Sequence, residues 1–262
     1  MDMLNALILG IVEGLTEFLP ISSTGHLILV GHWLSFEGAV AKLFEIFIQL
    51  GAILAVVWVY RMRILGLIKG IRSDQHSRQL AINLFIAFMP SAAVGLCVHH
   101  YIERYLFSPF TVAIAMLGGG IAIYAIENMR HRNVFTTSDA IPFKAAFWVG
   151  IAQVLSLFPG VSRSGSTIMG GLLSGMDRST STEFSFFLAI PTMFAATLFD
   201  LATSHAMLTW SDARLLAIGF IAAFISGLLV VKWLIRFVAT HDFKPFAYYR
   251  IIVGIILLIH FS

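Results

Sequence analysis

The chain has 262 residues, of which 58% are hydrophobic and only 12% are charged, and its mean hydropathy is +0.88. A soluble domain carries about 25% charged residues, so this chain has too little polar surface for a water-facing exterior. The composition excludes a soluble domain, a disordered chain and a coiled coil, and the single cysteine excludes a disulfide-stapled fold. The net charge of +3 is too small to indicate a nucleic-acid partner.

Six apolar runs are long enough to cross a membrane as helices, which takes roughly 17 to 25 residues. No strand-like alternation competes with this interpretation. Pro90 and Pro191 fall inside two of the runs, where packed neighbours tolerate a kink. Thr180 and Glu183 predict a capping box that opens the fourth run. The sequence predicts an all-α integral membrane protein with spans 44–60, 80–98, 110–126, 184–202, 215–235 and 246–261.

Two further apolar stretches, within 3–36 and 145–175, are too short to span and are interrupted by a polar break. The breaks are FLPISSTGHLILV (18–30) and LFPGVSRSGSTIMGGLL (157–173). Half-helices on either side of a polar break are typical of re-entrant hairpins, whose irregular backbone survives only where it lines a protected cavity. We therefore expect two re-entrant helical hairpins.

The two hairpins also resemble each other, which indicates an internal duplication. Each repeat, 1–130 and 140–262, then holds one hairpin and three spans. Because three is odd, the second copy enters the membrane upside down, which predicts an inverted-topology repeat with the hairpin tips meeting near the midplane. A shift of 140 residues aligns Gly10 with Gly150, Ile11 with Ile151, Leu15 with Leu155, Phe18 with Phe158, Ser22 with Ser162, Gly25 with Gly165 and Ile28 with Ile168.

Basic residues mark three connecting segments, 61–78, 130–144 and 232–244, which we expect to be cytoplasmic. The loops between them, predicted at 99–109 and 203–214, are poor in Lys and Arg, and residues 1–41 contain neither. This distribution predicts an N-terminus on the outer side without a signal peptide.

Ionisable residues lie in both hairpin tips, where a charge costs about 2.5 to 3.5 kcal/mol on insertion scales. Glu13 and Glu17 are one helical turn apart, so their charges repel unless a cation, an arginine or a proton intervenes. An ion pair between a glutamate and Arg163 that locks the repeats together is the structural alternative. A metal or substrate site explains the second carboxylate better.

Hydroxyl and glycine residues surround the start of both second half-helices. A helix N-terminus offers free N–H groups and a positive dipole end, and hydroxyls with an arginine complete a phosphate site. Ordinary N-capping explains some of these residues but not Arg163. The predicted phosphate-binding residues are Ser22, Thr24, Gly25, Ser162, Ser164, Ser166 and Thr167.

The repeats differ where chemistry is expected, so that one supplies acids and histidine and the other a guanidinium. A symmetric structural role does not need that division. It suits an anionic substrate, a bound divalent cation and a proton-transfer group. Glu13 aligns with Gln153, Glu17 with Leu157, Ser23 with Arg163 and His26 with Ser166.

At these residues the sequence resembles the bacterial undecaprenyl-diphosphate phosphatases, also called the bacitracin-resistance proteins. EGLTEFLPISSTGH (13–26) is similar to the family's first motif and PGVSRSGST (159–167) to its second, and the resemblance covers essentially the whole chain. It implies hydrolysis of undecaprenyl diphosphate to undecaprenyl phosphate and inorganic phosphate, which recycles the cell-wall lipid carrier and confers bacitracin resistance. The functional residues that it implies are Glu13, Glu17, Ser23, His26 and Arg163.

The resemblance also implies a multi-pass protein of the bacterial plasma (inner) membrane with an isoprenyl diphosphate lipid as substrate. With the predicted orientation, we expect the active site to open to the outer (periplasmic) side. Glu13 and Glu17 would hold Mg²⁺ or Ca²⁺, which prefer oxygen ligands, and Arg163 would neutralise the transferred phosphoryl group. The nucleophile is either Ser23, activated by Glu17 or His26, or a water, and we favour Ser23. His26 is predicted as an acid or base rather than a metal ligand.

A transporter or flippase of an anionic lipid or small anion is the main alternative, because inverted repeats and broken helices are also the plan of transporters. The fold alone does not separate the two functions. The sequence is compatible with a homo-oligomer without specifying one.

Overall fold

The computed structural model describes residues 2–36, 39–106, 108–129, 134–203 and 210–261. This part of the chain is helical apart from turns, short 3₁₀ segments and one isolated bridge between Phe135 and Met176. The helices in chain order are α1 Met3–Thr16, α2 Ser23–Trp33, α3 Ala39–Val59, α4 Arg61–Gly70, α5 Gln75–Tyr105, α6 Pro109–Asn128, α7 Phe143–Val154, α8 Arg163–Leu173, α9 Arg178–Thr203, α10 Trp210–Val238 and α11 Lys244–Phe261.

Five of the described helices, α5, α6, α9, α10 and α11, are long and apolar enough to cross a membrane. A sixth span results when α3 and α4, which are bent by 72° relative to each other, are counted together. Helices α3, α5, α6, α9, α10 and α11 fall on the six predicted runs, so the prediction of an all-α multi-pass membrane protein is confirmed. Pro90 and Pro191 lie inside α5 and α9.

Two local predictions are wrong, and one connecting segment holds a helix that was not predicted. The basic segment 61–78 contains the helix α4, none of whose residues is buried. The predicted loop 99–109 is largely helical, because α5 continues to Tyr105. The capping box is absent, since α9 begins earlier and the Thr180 N–H donates to Asp177 Oδ1 at 2.7 Å. Residues 130–133 and 204–209 of the predicted loops lie outside the described residues.

Helices of one repeat pack against helices of the other, and corresponding helices form corresponding pairs. Helix α1 packs on α10, its repeat counterpart α7 packs on α5, and α6 packs on α11. Glycine permits the close approach of α1 to α10, because an added Cβ on Gly10 would lie 2.3 Å from the Gly219 carbonyl oxygen. Such reciprocal packing is expected of two duplicated halves, while their inversion across the membrane stays a prediction.

The largest apolar cluster of the described residues includes side chains from both polar breaks. It includes Phe18 and Ile21 from the first break and Ile168 from α8, together with side chains of α3, α9 and α10. The ring of Phe18 meets that of Phe186 edge-on, with 5.6 Å between their centroids. The two breaks therefore share one packed support, which fixes their relative position.

Candidate active site

The two polar breaks have nearly the same backbone. Ser22 has φ 71° and ψ 100°, and Ser162 has φ 74° and ψ 114°. Each serine is the N-cap of the following helix, and its Oγ accepts from the N–H of Gly25 or Gly165, at 3.4 and 3.1 Å. Positive φ is unfavourable for serine, so both breaks hold the same strained turn that ends one half-helix and starts the next.

The tips of the two breaks touch. Ser164 Oγ donates to the Leu19 carbonyl oxygen at 2.7 Å. Arg163 Nη2 lies 3.2 Å from Glu17 Oε1, and both side chains are almost fully buried. The structure therefore brings together the carboxylate of the first repeat and the guanidinium of the second.

Glu17 joins Arg163 to Ser23. While Oε1 accepts from Arg163, Oε2 accepts from the Ser23 hydroxyl at 2.6 Å. A nucleophile within hydrogen-bond reach of a base is the arrangement that activates a hydroxyl. The geometry suits Glu17 to receive the proton of Ser23.

The Arg163 guanidinium does not use all of its N–H donors in contacts with the described residues. Its Nη1 donates to the Ser185 carbonyl oxygen at 3.1 Å, and its Nη2 faces Glu17. Its Nε is buried and has no hydrogen-bond partner among the described residues. Because an unpaired buried donor is costly, this N–H is a ready contact for an anion bound at the site.

His26 is held by two partners other than Ser23. Its Nδ1 lies 2.7 Å from the Ser22 carbonyl oxygen and its Nε2 lies 2.7 Å from the Tyr249 hydroxyl. The carbonyl can only accept, so Nδ1 carries a proton and Nε2 is the nitrogen that exchanges one with its surroundings. Glu17, and not His26, contacts the Ser23 hydroxyl.

Glu13 is the other buried carboxylate of the first repeat. It is 1% exposed, and its Oε2 has no hydrogen-bond partner within the described ranges. It interacts electrostatically with Glu17, Glu45 and Arg163. A buried carboxylate oxygen without a partner is a suitable ligand for a hard cation.

The carboxylates of Glu13 and Glu17 are too few to hold a magnesium-like ion unless substrate and water supply further ligands. Across the described residues, no group of three or more His, Cys, Asp or Glu side chains is placed to hold a metal. Mg²⁺ in enzymes is often bound by one or two carboxylates, with substrate phosphates and water completing its shell. Glu13 offers an unpartnered oxygen for such an ion, whereas both oxygens of Glu17 already accept hydrogen bonds.

Most hydroxyls of the predicted phosphate-binding set are bonded within the protein. Ser22 and Ser162 act as caps, and Thr167 Oγ1 lies 2.9 Å from the Arg163 carbonyl oxygen and 2.6 Å from Ser185 Oγ. The side chains of Thr24 and Ser166 are partly exposed, and Gly25 is buried. Since the first N–H groups of α2 and α8 have no partner within their own helices, these amides are the stronger candidates for an anion.

Sequence reasoning missed Tyr249 and Arg250, two neighbours on α11. Tyr249 holds His26, as described above. Arg250 is fully buried and donates to backbone carbonyls at both breaks. An arginine inside the predicted span 246–261 was the available signal, because charged residues within spans are rare and functional by default.

The fold and the site together define a class. This is a multi-pass all-α membrane protein with a buried carboxylate, serine and arginine between two converging helix N-termini, an arrangement suited to phosphoryl chemistry. The family model described as Bacitracin resistance protein BacA matches residues 6–256. The chain belongs to this bacitracin resistance protein family, which confirms the resemblance found in its motifs.

Relatives named undecaprenyl-diphosphatase match over nearly the full length. One from Caldanaerobacter subterraneus is 52% identical over 260 residues, covering 98% of this chain and 95% of its own length. One from Ectopseudomonas mendocina is 51% identical, covering 97% of this chain and 92% of its own. One from Methylobacillus flagellatus is 50% identical, covering 99% and 98%.

Proposed function

We propose that the protein hydrolyses undecaprenyl diphosphate to undecaprenyl phosphate and inorganic phosphate, which returns the cell-wall lipid carrier to use. The observation that carries the proposal is the contact of Ser23 and Arg163 with the two oxygens of one buried carboxylate, Glu17. The family and the printed name of the three relatives support it.

In the proposed reaction, the terminal phosphoryl group binds between the N-termini of α2 and α8. Arg163 and the free backbone amides stabilise its negative charge. The Ser23 oxygen attacks the terminal phosphorus, its proton passes to Glu17, and the bond to the bridging oxygen breaks, which releases undecaprenyl phosphate. Water then attacks the phosphoserine and the bond from phosphorus to the Ser23 oxygen breaks. Glu17 returns its proton to the Ser23 oxygen, and the protons of the water leave with inorganic phosphate.

Glu13, with Glu17 beside it, is proposed to hold a divalent cation, Mg²⁺ or Ca²⁺. The unpartnered Glu13 Oε2 supports this assignment, whereas both oxygens of Glu17 already accept hydrogen bonds. The cation would supply positive charge to the diphosphate oxygens.

The lipid tail is proposed to stay among the helices and the bilayer lipids while the diphosphate reaches the site from the outer leaflet of the inner membrane. The lack of Lys and Arg in residues 1–41 and their concentration in 61–78 support this orientation. An inverted arrangement of the two repeats would bring both breaks to the middle of the membrane.

A detergent assay tests the proposal, because a micelle has no second compartment. Purified protein is given undecaprenyl diphosphate with Mg²⁺ or Ca²⁺, and released phosphate is measured. We expect multiple turnovers that stop with EDTA and resume when cation is restored. No phosphate release by folded protein in any cation would reject the enzyme in favour of a transporter or flippase.

A further inference from the structure

Arg250 links three separate segments of the backbone. Its side chain is fully buried in α11. Its Nη1 donates to the first break at the Pro20 carbonyl oxygen, 3.2 Å away, and to the second break at Val161, 3.0 Å away. Its Nη2 donates to Gly160 at 3.0 Å and to Ala115 at 3.1 Å, and its Nε donates to Met116 at 3.2 Å.

These bonds use all three nitrogens of the guanidinium. A guanidinium has five N–H donors in a rigid planar fork, so it satisfies five carbonyls only when they surround it in one arrangement. Arg250 therefore has no donor left for a ligand. In this it differs from Arg163, whose Nε is buried without a partner in the described part of the chain.

Helix α6 is shaped to admit this side chain. An added Cβ on Gly119 would lie 2.1 Å from Arg250 Nη2, whereas an added Cβ on the adjacent Gly118 would meet nothing within 4 Å. Only hydrogen at position 119 leaves room for the guanidinium. The two neighbouring glycines therefore offer a matched pair of substitutions.

We propose that Arg250 is a positioning residue that holds the two polar breaks in register, so that Arg163 of the second break meets Glu17, which also contacts Ser23. The carbonyls of Pro20 and Val161 belong to different repeats, and one nitrogen bonds both. A lysine would keep the positive charge but has three donors instead of five and no planar fork, so it could not keep all five bonds to the three segments.

Cross-linking of the breaks tests the register without any enzymatic readout. A Cβ on Gly165 would lie 3.5 Å from the Cβ of Pro20, within the span of about 3.5 to 4.5 Å that a disulfide requires. The pair Pro20→Cys with Gly165→Cys is made in a Cys97→Ser background, since Cys97 is exposed. The rate of disulfide formation under a mild oxidant is then measured in detergent.

We expect rapid cross-linking with Arg250 in place and a rate at least about fivefold lower with Arg250→Lys, because hydrogen bonds to the breaks are lost. Arg178→Lys is the control, since Arg178 pairs instead with Glu127 at 2.6 Å. Equal rates in folded Arg250→Lys and Arg178→Lys proteins would overturn the proposal.

The activity readout rests on the proposed function. Arg250→Lys should lower kcat for undecaprenyl diphosphate about tenfold with little change in KM, because the residue acts on the site rather than on the lipid. Gly119→Ala should lower kcat and cross-linking in the same direction, while Gly118→Ala changes neither. Gly119→Ala keeps the test decisive when Arg250→Lys yields no folded protein.

Wild-type kcat in Arg250→Lys, or identical behaviour of Gly119→Ala and Gly118→Ala, would reject the positioning role. If the unmodified protein releases no phosphate at all, the proposed function fails, and the cross-linking rates still decide the role of Arg250.

Discussion

The first and second polar breaks share one backbone conformation but carry different functional side chains. Both contain a serine N-cap at positive φ, bonded to a glycine N–H three residues later. The next residue is Ser23 in the first break and Arg163 in the second, and these two meet on Glu17. The duplicated turn supplies two helix N-termini, and the divergence after it supplies a hydroxyl and a guanidinium that contact one carboxylate.

The same contrast separates Glu13 from its counterpart Gln153. Both side chains are buried. Gln153 is satisfied, because its Nε2 donates to Ser91 Oγ at 2.6 Å and its Oε1 accepts from Thr192 Oγ1 at 3.4 Å. Glu13 instead retains an oxygen without a partner in the described structure. The second repeat has a neutral amide at this position, so the proposed cation site would take its carboxylates from the first repeat alone.

Replacement of Glu17, which side chains of both breaks contact, should cause the largest loss of activity. Glu17→Gln keeps the size of the side chain but removes the base for Ser23 and the negative partner of Arg163. We expect a loss of about 10⁴-fold in kcat in the phosphate-release assay, at the upper end of the effect of a general base. Glu183→Gln is the control, because Glu183 lies on α9 and pairs with Arg63 at 3.3 Å.

A retained kcat in folded Glu17→Gln protein would contradict the assignment of the base. Thermal unfolding in detergent shows whether the variant is folded, since removal of one partner of a buried ion pair also destabilises a protein.

Ser23→Ala tests whether the nucleophile is the Ser23 hydroxyl or a water molecule, and it should have the next largest effect on kcat. With Ser23 as nucleophile, we expect kcat to fall about 10³-fold, because the covalent route is lost and only water remains. Ser156→Ala, just before the second break, is the control, since its hydroxyl donates to the Gln153 carbonyl oxygen at 2.7 Å. Retention of a tenth or more of the activity would instead assign the attack to water.

Glu13→Gln converts the first repeat to the side chain of the second, and should affect the metal response. We expect kcat at saturating Mg²⁺ to fall about tenfold and the Mg²⁺ concentration for half-maximal activity to rise, because one carboxylate ligand becomes a neutral amide. A titration of phosphate release against Mg²⁺ measures both. An unchanged half-maximal concentration would remove Glu13 from the cation site.

The local sequence pattern was enough to predict the two polar breaks and the proximity of Glu17 to Arg163. The signals were short apolar pieces around Pro, Ser and Gly, their repetition, and the cost of isolated charges in an apolar run. The start of α9 was misplaced because two capping patterns compete there, and Asp177 acts one turn earlier than the expected cap. The helix α4 was missed because its charges marked the end of the preceding span.

The contacts of α11 could not be read from spacing. His26 and Tyr249 are 223 positions apart, and Pro20 and Arg250 are 230 apart. Which side of α11 faces the breaks depends on how the helix is rotated against α6, and that follows from packing over its whole length. The arginine in an apolar span signalled a role, but its partners needed the folded chain.

Tyr249→Phe tests the link between α11 and the first break, and should have the smallest effect. The phenylalanine ring can keep the parallel stacking on His26, whose centroid is 5.5 Å from that of Tyr249, and only the hydroxyl bond to Nε2 is lost. One hydrogen bond contributes about 1 kcal/mol, so kcat should fall about fivefold. Tyr248→Phe is the matched control, because the neighbouring Tyr248 packs instead against Tyr124. Equal kcat values for the two variants would show that the tyrosine hydroxyl does not hold His26 for catalysis, leaving the Ser22 carbonyl as the contact that orients the ring.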